Sequence, residues 1–124
     1  MTKSLFGLIL ASVLMSSVAQ VVLKAGMSHP RVLAQLETGS KWDAFNAIAA
    51  SVTVWSGLMI YFASALVWLL VLARVDVSLA YPFVGMGFIV TMLLAWGIQG
   101  ETLTTARIAG TLMIAAGVVL LARD

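Results

Sequence analysis

Residues 77–100 read VSLAYPFVGMGFIVTMLLAWGIQG, with no charged side chain anywhere in the run. A bilayer core about 30 Å thick takes roughly 20 apolar residues as a helix, so this stretch is long enough to cross one. It also carries Pro82, Gly85 and Gly87 close together near its start. Proline removes a backbone hydrogen bond and can kink a helix, and glycine loosens one. Two readings follow. Pro82, Gly85 and Gly87 form a hinge in a pliable helix, which lets a cavity open alternately to the two sides as in transporters with irregular helices. Otherwise the small residues serve close helix packing.

The rest of the chain resolves around this run. Of its 124 residues, 62% are hydrophobic and 10% charged, with a mean hydropathy of +1.09, so it lacks the residues for a charged shell over a soluble core. The charges bracket four candidate spans, at about residues 4–24, 48–73, 77–99 and 104–122, within a single transmembrane domain over residues 1–124. Spanning β-strands would be about half as long and would alternate. The expected fold is therefore an all-α membrane protein, an antiparallel bundle of four helices that satisfy their own backbone hydrogen bonds in lipid. The N-terminal stretch resembles a signal peptide in having Lys3, an apolar run and small residues near Ser16–Ala19. Its apolar run continues to Leu23, so it reads as a first span.

The links differ in length. Arg74-Val75-Asp76 is tight and makes the second and third spans an antiparallel hairpin; Gly100 to Leu103 is also short. The first loop, about Ala25 to Asp43, begins a PRVLAQLE segment with Pro30, a good first helical residue. Val32, Leu33 and Leu36 would share one face there, which allows a short helix lying on the membrane surface. Lys3, Arg74 and Arg123 fall on one side, and Lys24, Arg31, Lys41 and Arg107 on the other. That distribution is compatible with insertion in either direction.

Several chemistries are excluded or disfavoured. Net charge is +2 with no basic stripe, so nucleic acid is not an expected partner. The absence of cysteine removes disulfides and thiol catalysis. No His/Asp/Glu cluster has metal-ligand spacing, no nucleophile–base pair is evident, and neither cofactor nor catalytic residue is expected. The carboxylates Glu37, Asp43, Asp76, Glu101 and Asp124 all flank the spans, which argues against proton exchange through a buried acid. His29 reads as a solvated loop residue.

The polar groups that enter the membrane are few. Ser16 and Gln20 share a face of the first helix, and Lys24 continues it. This stripe is either a site for a polar or anionic headgroup, or helix–helix hydrogen bonding with Lys24 snorkelling to the interface. Tyr81 brings a hydroxyl near the boundary, where an aromatic anchor is the commoner role. Gly110 and Gly117 lie nearly on one face of the fourth span, a groove suited to another helix. Four short helices enclose little space, so a transport path calls for two chains.

At these residues the chain resembles a known family. YPFVGMGFIVTMLLAWGIQGETL (81–103) and GTLMIAAGVVL (110–120) resemble the small multidrug resistance family of the drug/metabolite transporter superfamily. The resemblance implies four helices, a dimer, and the pattern G-x-L-x-I-x-x-G-V in the last helix, found here from Gly110 to Val118. Drug exporters of that family carry a glutamate in the middle of the first helix; here the region reads ASVLMSSVAQVVLK (11–24). A closer resemblance is to the small flippase subunits for aminoarabinose-phosphoundecaprenol. They also lack that glutamate and carry a serine-rich stretch followed by a glutamine and a lysine four apart, as Gln20 and Lys24 stand here. Their second hairpin resembles VWLLVLARVDVSLAYP (67–82), and their distance from Tyr-Pro to the acid matches Tyr81-Pro82 to Glu101. The longer first loop departs from their pattern.

That resemblance implies a multi-pass protein of the bacterial inner membrane. It would be a flippase or flippase subunit for a polyprenyl-phosphate-linked (amino)sugar, acting in membrane lipid as a homodimer or as a heterodimer with a similar small subunit. The substrate-binding residues would be Ser16, Gln20, Lys24, Tyr81 and Glu101, and the dimer interface would hold Gly110 and Gly117. The alternatives are a small multidrug resistance-type exporter of small cations or metabolites, and a non-transporting membrane partner subunit.

Overall fold

The computed structural model describes residues 3–123. Its helices are α1 (Lys3–Met27), α2 (Pro30–Thr38), α3 (Lys41–Ala49), α4 (Val52–Leu72), α5 (Val77–Ala80), α6 (Val84–Gln99) and α7 (Thr105–Ala122). A 3-10 turn, Tyr81–Phe83, joins α5 to α6. Four helical segments are long and apolar enough to cross a membrane: Lys3–Met27, Val52–Leu72, Val77–Gln99 and Thr105–Ala122. The protein is an all-α, multi-pass membrane protein.

Caps mark where each helix starts. Ser51 accepts a hydrogen bond from the Val54 backbone N–H and begins α4, so this helix opens at Val52, against the span start expected at about residue 48. The residues before it form a separate helix, α3, opened by a capping box between Ser40 and Asp43. The Trp55 indole N–H donates to the Ala49 carbonyl and ties the two together. Pro30 does start α2, with His29 as its cap. Of the three residues expected to share an apolar face on that helix, Val32 is buried while Leu33 and Leu36 stay exposed, as do the stacked rings of Trp42 and Phe45 on α3.

Helix α1 packs most extensively on α4 and next on α6, while α7 makes its principal contacts with α6 and the Tyr81–Phe83 turn. The α1–α4 crossing is very close. A Cβ on Gly57 would lie 3.1 Å from the Leu23 backbone nitrogen, and one on Gly26 would lie 3.0 Å from the Val54 nitrogen. The Ser12 hydroxyl donates to the Ser64 carbonyl at 2.9 Å across the same crossing.

Pro82 sits in the 3-10 turn, where the backbone stays right-handed and joins α5 to α6 within one span, locally tightened. Both following glycines are buried at crossings. A Cβ on Gly85 would strike Ile114 of α7; one on Gly87 would lie 3.1 Å from the Ser17 hydroxyl and from Val13 Cγ1 of α1. Close approach accounts for glycine at both positions. The buried apolar cluster of Ile9, Val13, Val71, Ala80, Phe83 and Val118 gathers at the end of the bundle near the Arg74–Asp76 link.

Gly57→Leu would force side-chain bulk against backbone, and should destabilise the chain by about 1–3 kcal/mol. Ser12→Ala removes one interhelical hydrogen bond, worth about 0.6 kcal/mol in a membrane. Equilibrium unfolding in mixed micelles should rank the two in that order. The reverse ranking would mean that hydrogen bonding, not close packing, holds the α1–α4 pair.

Candidate functional site

Opposite the closed end, near the first loop, α1, α6 and α7 part around a cavity of about 500 Å³. Three helical faces line it. From α1 come Ser16, Ser17 and Gln20; from α6 the face Val84, Gly87, Phe88, Thr91, Met92 and Ala95; from the last link and α7 come Leu103, Arg107 and Thr111. Tyr61 of α4 and Glu101 of the α6–α7 link complete the polar groups. The α6 residues recur every three or four positions and the α7 residues every four, which is the spacing of a single helical face.

The wall between α1 and α6 is set by Ser17, whose buried hydroxyl lies 2.9 Å from the Val13 carbonyl and 3.1 Å from that of Gly87. With one proton to donate, it bridges the two helices where the glycine allows them to meet. Ser16 donates to the same Val13 carbonyl at 3.2 Å. Among the described residues every buried side-chain nitrogen and oxygen has a partner. Gln20 lines the cavity and is exposed to it.

The mouth is shaped by the link. Gly100 ends α6 at φ 67°, a left-handed conformation that glycine adopts at no steric cost, and both its N–H and that of Glu101 return to the Ala95 carbonyl. This reversal brings Glu101 over the cavity. The Gln99 amide donates to the Val21 carbonyl at 2.9 Å and anchors the same corner to α1. Thr104 caps α7 by accepting from the Arg107 N–H at 3.2 Å, and the Arg107 guanidinium donates back to the Thr102 carbonyl at 3.1 Å. A carboxylate and a guanidinium therefore stand at one mouth, beside the N-terminus of α7.

Of the residues singled out from sequence, Ser16, Gln20 and Glu101 are brought together here. Lys24 lies one helical turn beyond Gln20 and is not among the lining residues; Arg107 is the cation that lines the cavity. Tyr81 is not among the residues that line this cavity; it borders an apolar furrow between the third span and α7 with Pro82, Gly85 and Gly117, and lines a neighbouring pocket with Ser12, Ser16, Tyr61 and Ser64, of which Ser16 and Tyr61 also line the cavity. Gly110 and Gly117 have nothing within 4 Å of a would-be Cβ, and Val118 is the one buried residue among those described on α7. Sequence reasoning missed Arg107, Thr91 and Thr111 as lining groups. The signal available was their register: Arg107 and Thr111 are four apart, as are Gly87 and Thr91.

No protein-family model matches the chain, and no solved structure does. Curated proteins do. A Pseudomonas aeruginosa (strain UCBPP-PA14) protein, named a probable 4-amino-4-deoxy-L-arabinose-phosphoundecaprenol flippase subunit ArnE, is 36% identical over 117 residues, covering 94% of this chain and 96% of its own. A Proteus mirabilis protein named as the probable subunit ArnF of the same flippase is 31% identical over 120 residues, covering 92% and 88%. Another probable ArnF, from Shewanella sediminis, is 31% identical over 131 residues, covering 96% and 89%. Identity at this level over nearly the whole length places the chain in the family of small 4-amino-4-deoxy-L-arabinose-phosphoundecaprenol flippase subunits.

Proposed function

We propose that the chain is one subunit of a flippase that moves a polyprenyl-phosphate-linked amino sugar across the bacterial inner membrane, and that it transports rather than catalyses. The observation that carries this reading is the meeting of Glu101, Arg107 and Gln20 at one mouth of a membrane-embedded cavity. A phosphate takes a guanidinium through paired, charge-assisted hydrogen bonds, and the N-terminus of α7 adds favourable backbone dipoles. An amino sugar presents an ammonium to Glu101, while Gln20, Ser16 and Tyr61 offer partners to its hydroxyls. Glu101 stands at the mouth rather than mid-span, which disfavours the exporter of small cations driven by proton exchange.

Alternate opening would require the apolar cluster around Phe83 to part. Pro82, Gly85 and Gly87 flank Phe83, and in this reading they form the hinge. The bare outer face of α7, with Leu112, Met113 and Leu120 exposed, supports a second small chain, the same or similar, docking along Gly110 and Gly117.

Arg107→Gln should weaken binding of undecaprenyl phosphate about ten- to hundredfold, the range for a lost hydrogen bond to a charged group. Lys24→Gln should cost less than about fivefold, as expected of an exposed charge. Glu101→Gln should spare undecaprenyl phosphate and weaken the amino-sugar form. Native mass spectrometry or a fluorescence titration in detergent reads all three. Equal losses for Lys24→Gln and Arg107→Gln would remove the headgroup from this cavity.

Gly110→Leu meets open space within the chain, so it should fold normally and lower the yield of chain-to-chain crosslinks in membranes. Undiminished crosslinking would place the contact on another face.

A further inference from the structure

We infer that a second, smaller pocket, set near the midplane between α1, α4 and the third span, binds the sugar of the lipid-linked headgroup but not its phosphate; this deepens the flippase reading and rests on it. The pocket has a volume of about 200 Å³. At about 30 Å³ for each water, that is the space of about six or seven waters, or of one sugar ring. Ser12, Ser64, Trp68 and Tyr81 line this pocket and not the larger cavity, whereas Ser16 and Tyr61 line both. Its depth is the first reason. The midpoints of α1 and α4 fall at Met15 and Phe62, and Ser12, Ser16, Tyr61 and Ser64 lie within three residues of them. Along a helix axis that is about 4.5 Å or less. A sugar crossing the bilayer gives up its water at this depth, where an unpartnered hydroxyl is most costly. Polar side chains placed there by the protein are accordingly read as functional.

The hydrogen bonds select the ligand. Ser12 gives its proton to the Ser64 carbonyl at 2.9 Å, Ser16 to the Val13 carbonyl at 3.2 Å and Ser64 to the Tyr61 carbonyl at 2.7 Å. Each of these hydroxyl oxygens keeps its lone pairs and has no proton left to offer. Among the described residues, the hydroxyls of Tyr61 and Tyr81 make no hydrogen bond within the chain, so they are free to donate or accept. The rings of Tyr61, Trp68 and Tyr81 supply the apolar walls. A few polar groups on mostly apolar and aromatic walls are the usual make-up of a small-molecule site. The hydroxyls of a sugar both donate and accept, and find partners of both kinds here. A phosphate finds none, because no cation lines the pocket and the serine oxygens meet it with further lone pairs. Helix–helix hydrogen bonding accounts for Ser12, whose bond crosses to α4. It does not account for Ser64, Tyr61 or Tyr81, whose hydroxyls hold no neighbouring helix. Glu101 and Arg107 thus serve the charges at the mouth, and this pocket serves the uncharged ring where water is scarcest.

The test places the full chain in nanodiscs with undecaprenyl-phosphate-linked arabinose that carries a photoreactive diazirine on its ring. The neutral sugar leaves Glu101 out of the readout. Adducts should appear on Ser64, Trp68 and Tyr81 as well as on cavity residues such as Thr91 and Thr111. The unlabelled sugar lipid should compete with them, and phosphatidic acid should not. Ser64→Ala combined with Tyr81→Phe removes two hydroxyls and no interhelical bond. It should cut the Trp68 adducts about five- to thirtyfold, the range for one or two lost hydrogen bonds, and spare those on Thr91 and Thr111. Each single change should give a smaller loss in the same direction, with the unfolding midpoint of the parent. Leu69→Ala, at an exposed position outside both linings, should change neither set. Trp68 adducts that survive the double change, or that phosphatidic acid competes away equally, would reduce the pocket to a packing gap holding water or acyl chain and overturn the inference. If the sugar lipid competes for adducts in the cavity but none reach Ser64, Trp68 or Tyr81, this pocket fails and the flippase reading stands. If no adduct anywhere responds to the sugar lipid, that reading fails with it.

Discussion

With lipid on every side, one helix is held to another only by close packing and by hydrogen bonds to a neighbour's backbone, since apolar contact alone gains little over hydrocarbon. Helix α1 meets that constraint twice. Against α4 it relies on Gly26 and Gly57, where backbone nearly touches backbone, and on the Ser12 hydroxyl. Against α6 it relies on Gly87 and the bridging Ser17. These two seams place α1 between its neighbours as a shared wall. Everything that faces the cavity from α1, including Ser16 and Gln20, is aimed by them.

The bundle is consequently unequal end to end. Near the Arg74–Asp76 link, Ile9, Phe83 and Val118 close the helices on one another. Towards the first loop α1 stays tight against α4, and a cavity opens between α1, α6 and α7, lined by polar groups from four helices and the α6–α7 link. The left-handed turn at Gly100 makes this end chemically useful, because it folds Glu101 back over the opening while Thr104 restarts the chain with Arg107 in the first turn of α7. In the proposed function, the two charges serve the two ends of one headgroup.

The spans were legible because charges bracket them, and the shortest links were legible from their length. Pro30 announced α2 correctly. The α3–α4 break was hidden, since Ala44 to Ala73 has no charge and only the serine at position 51 marks it. Gly26 and Gly57 gave no signal either: in an apolar helix, a glycine that permits contact reads like one that faces lipid. The cavity face of α6 keeps helical register, but Thr91 is its one polar side chain, so it has no contrast with its surroundings. Lys24 looked like the natural cation because it follows Gln20 by one turn. Arg107 lines the cavity instead because of the Gly100 reversal, a tertiary event that spacing within one helix does not encode.

The closed end has a mechanical consequence. In a water-soluble protein, prising Phe83 away from Ile9 and Val118 would expose apolar surface to water and meet the full hydrophobic penalty. Here the same surfaces would be rewetted by acyl chains. What resists separation is the mismatch between a fitted protein contact and a less well-fitted lipid one, a difference in dispersion and in lipid ordering. In the proposed function, a gate built from these residues would therefore be sensitive to the bilayer itself. Lipids whose chains fill the parted surfaces well would favour its opening, and stiff or poorly fitting chains would hold it shut, without a change in any polar contact.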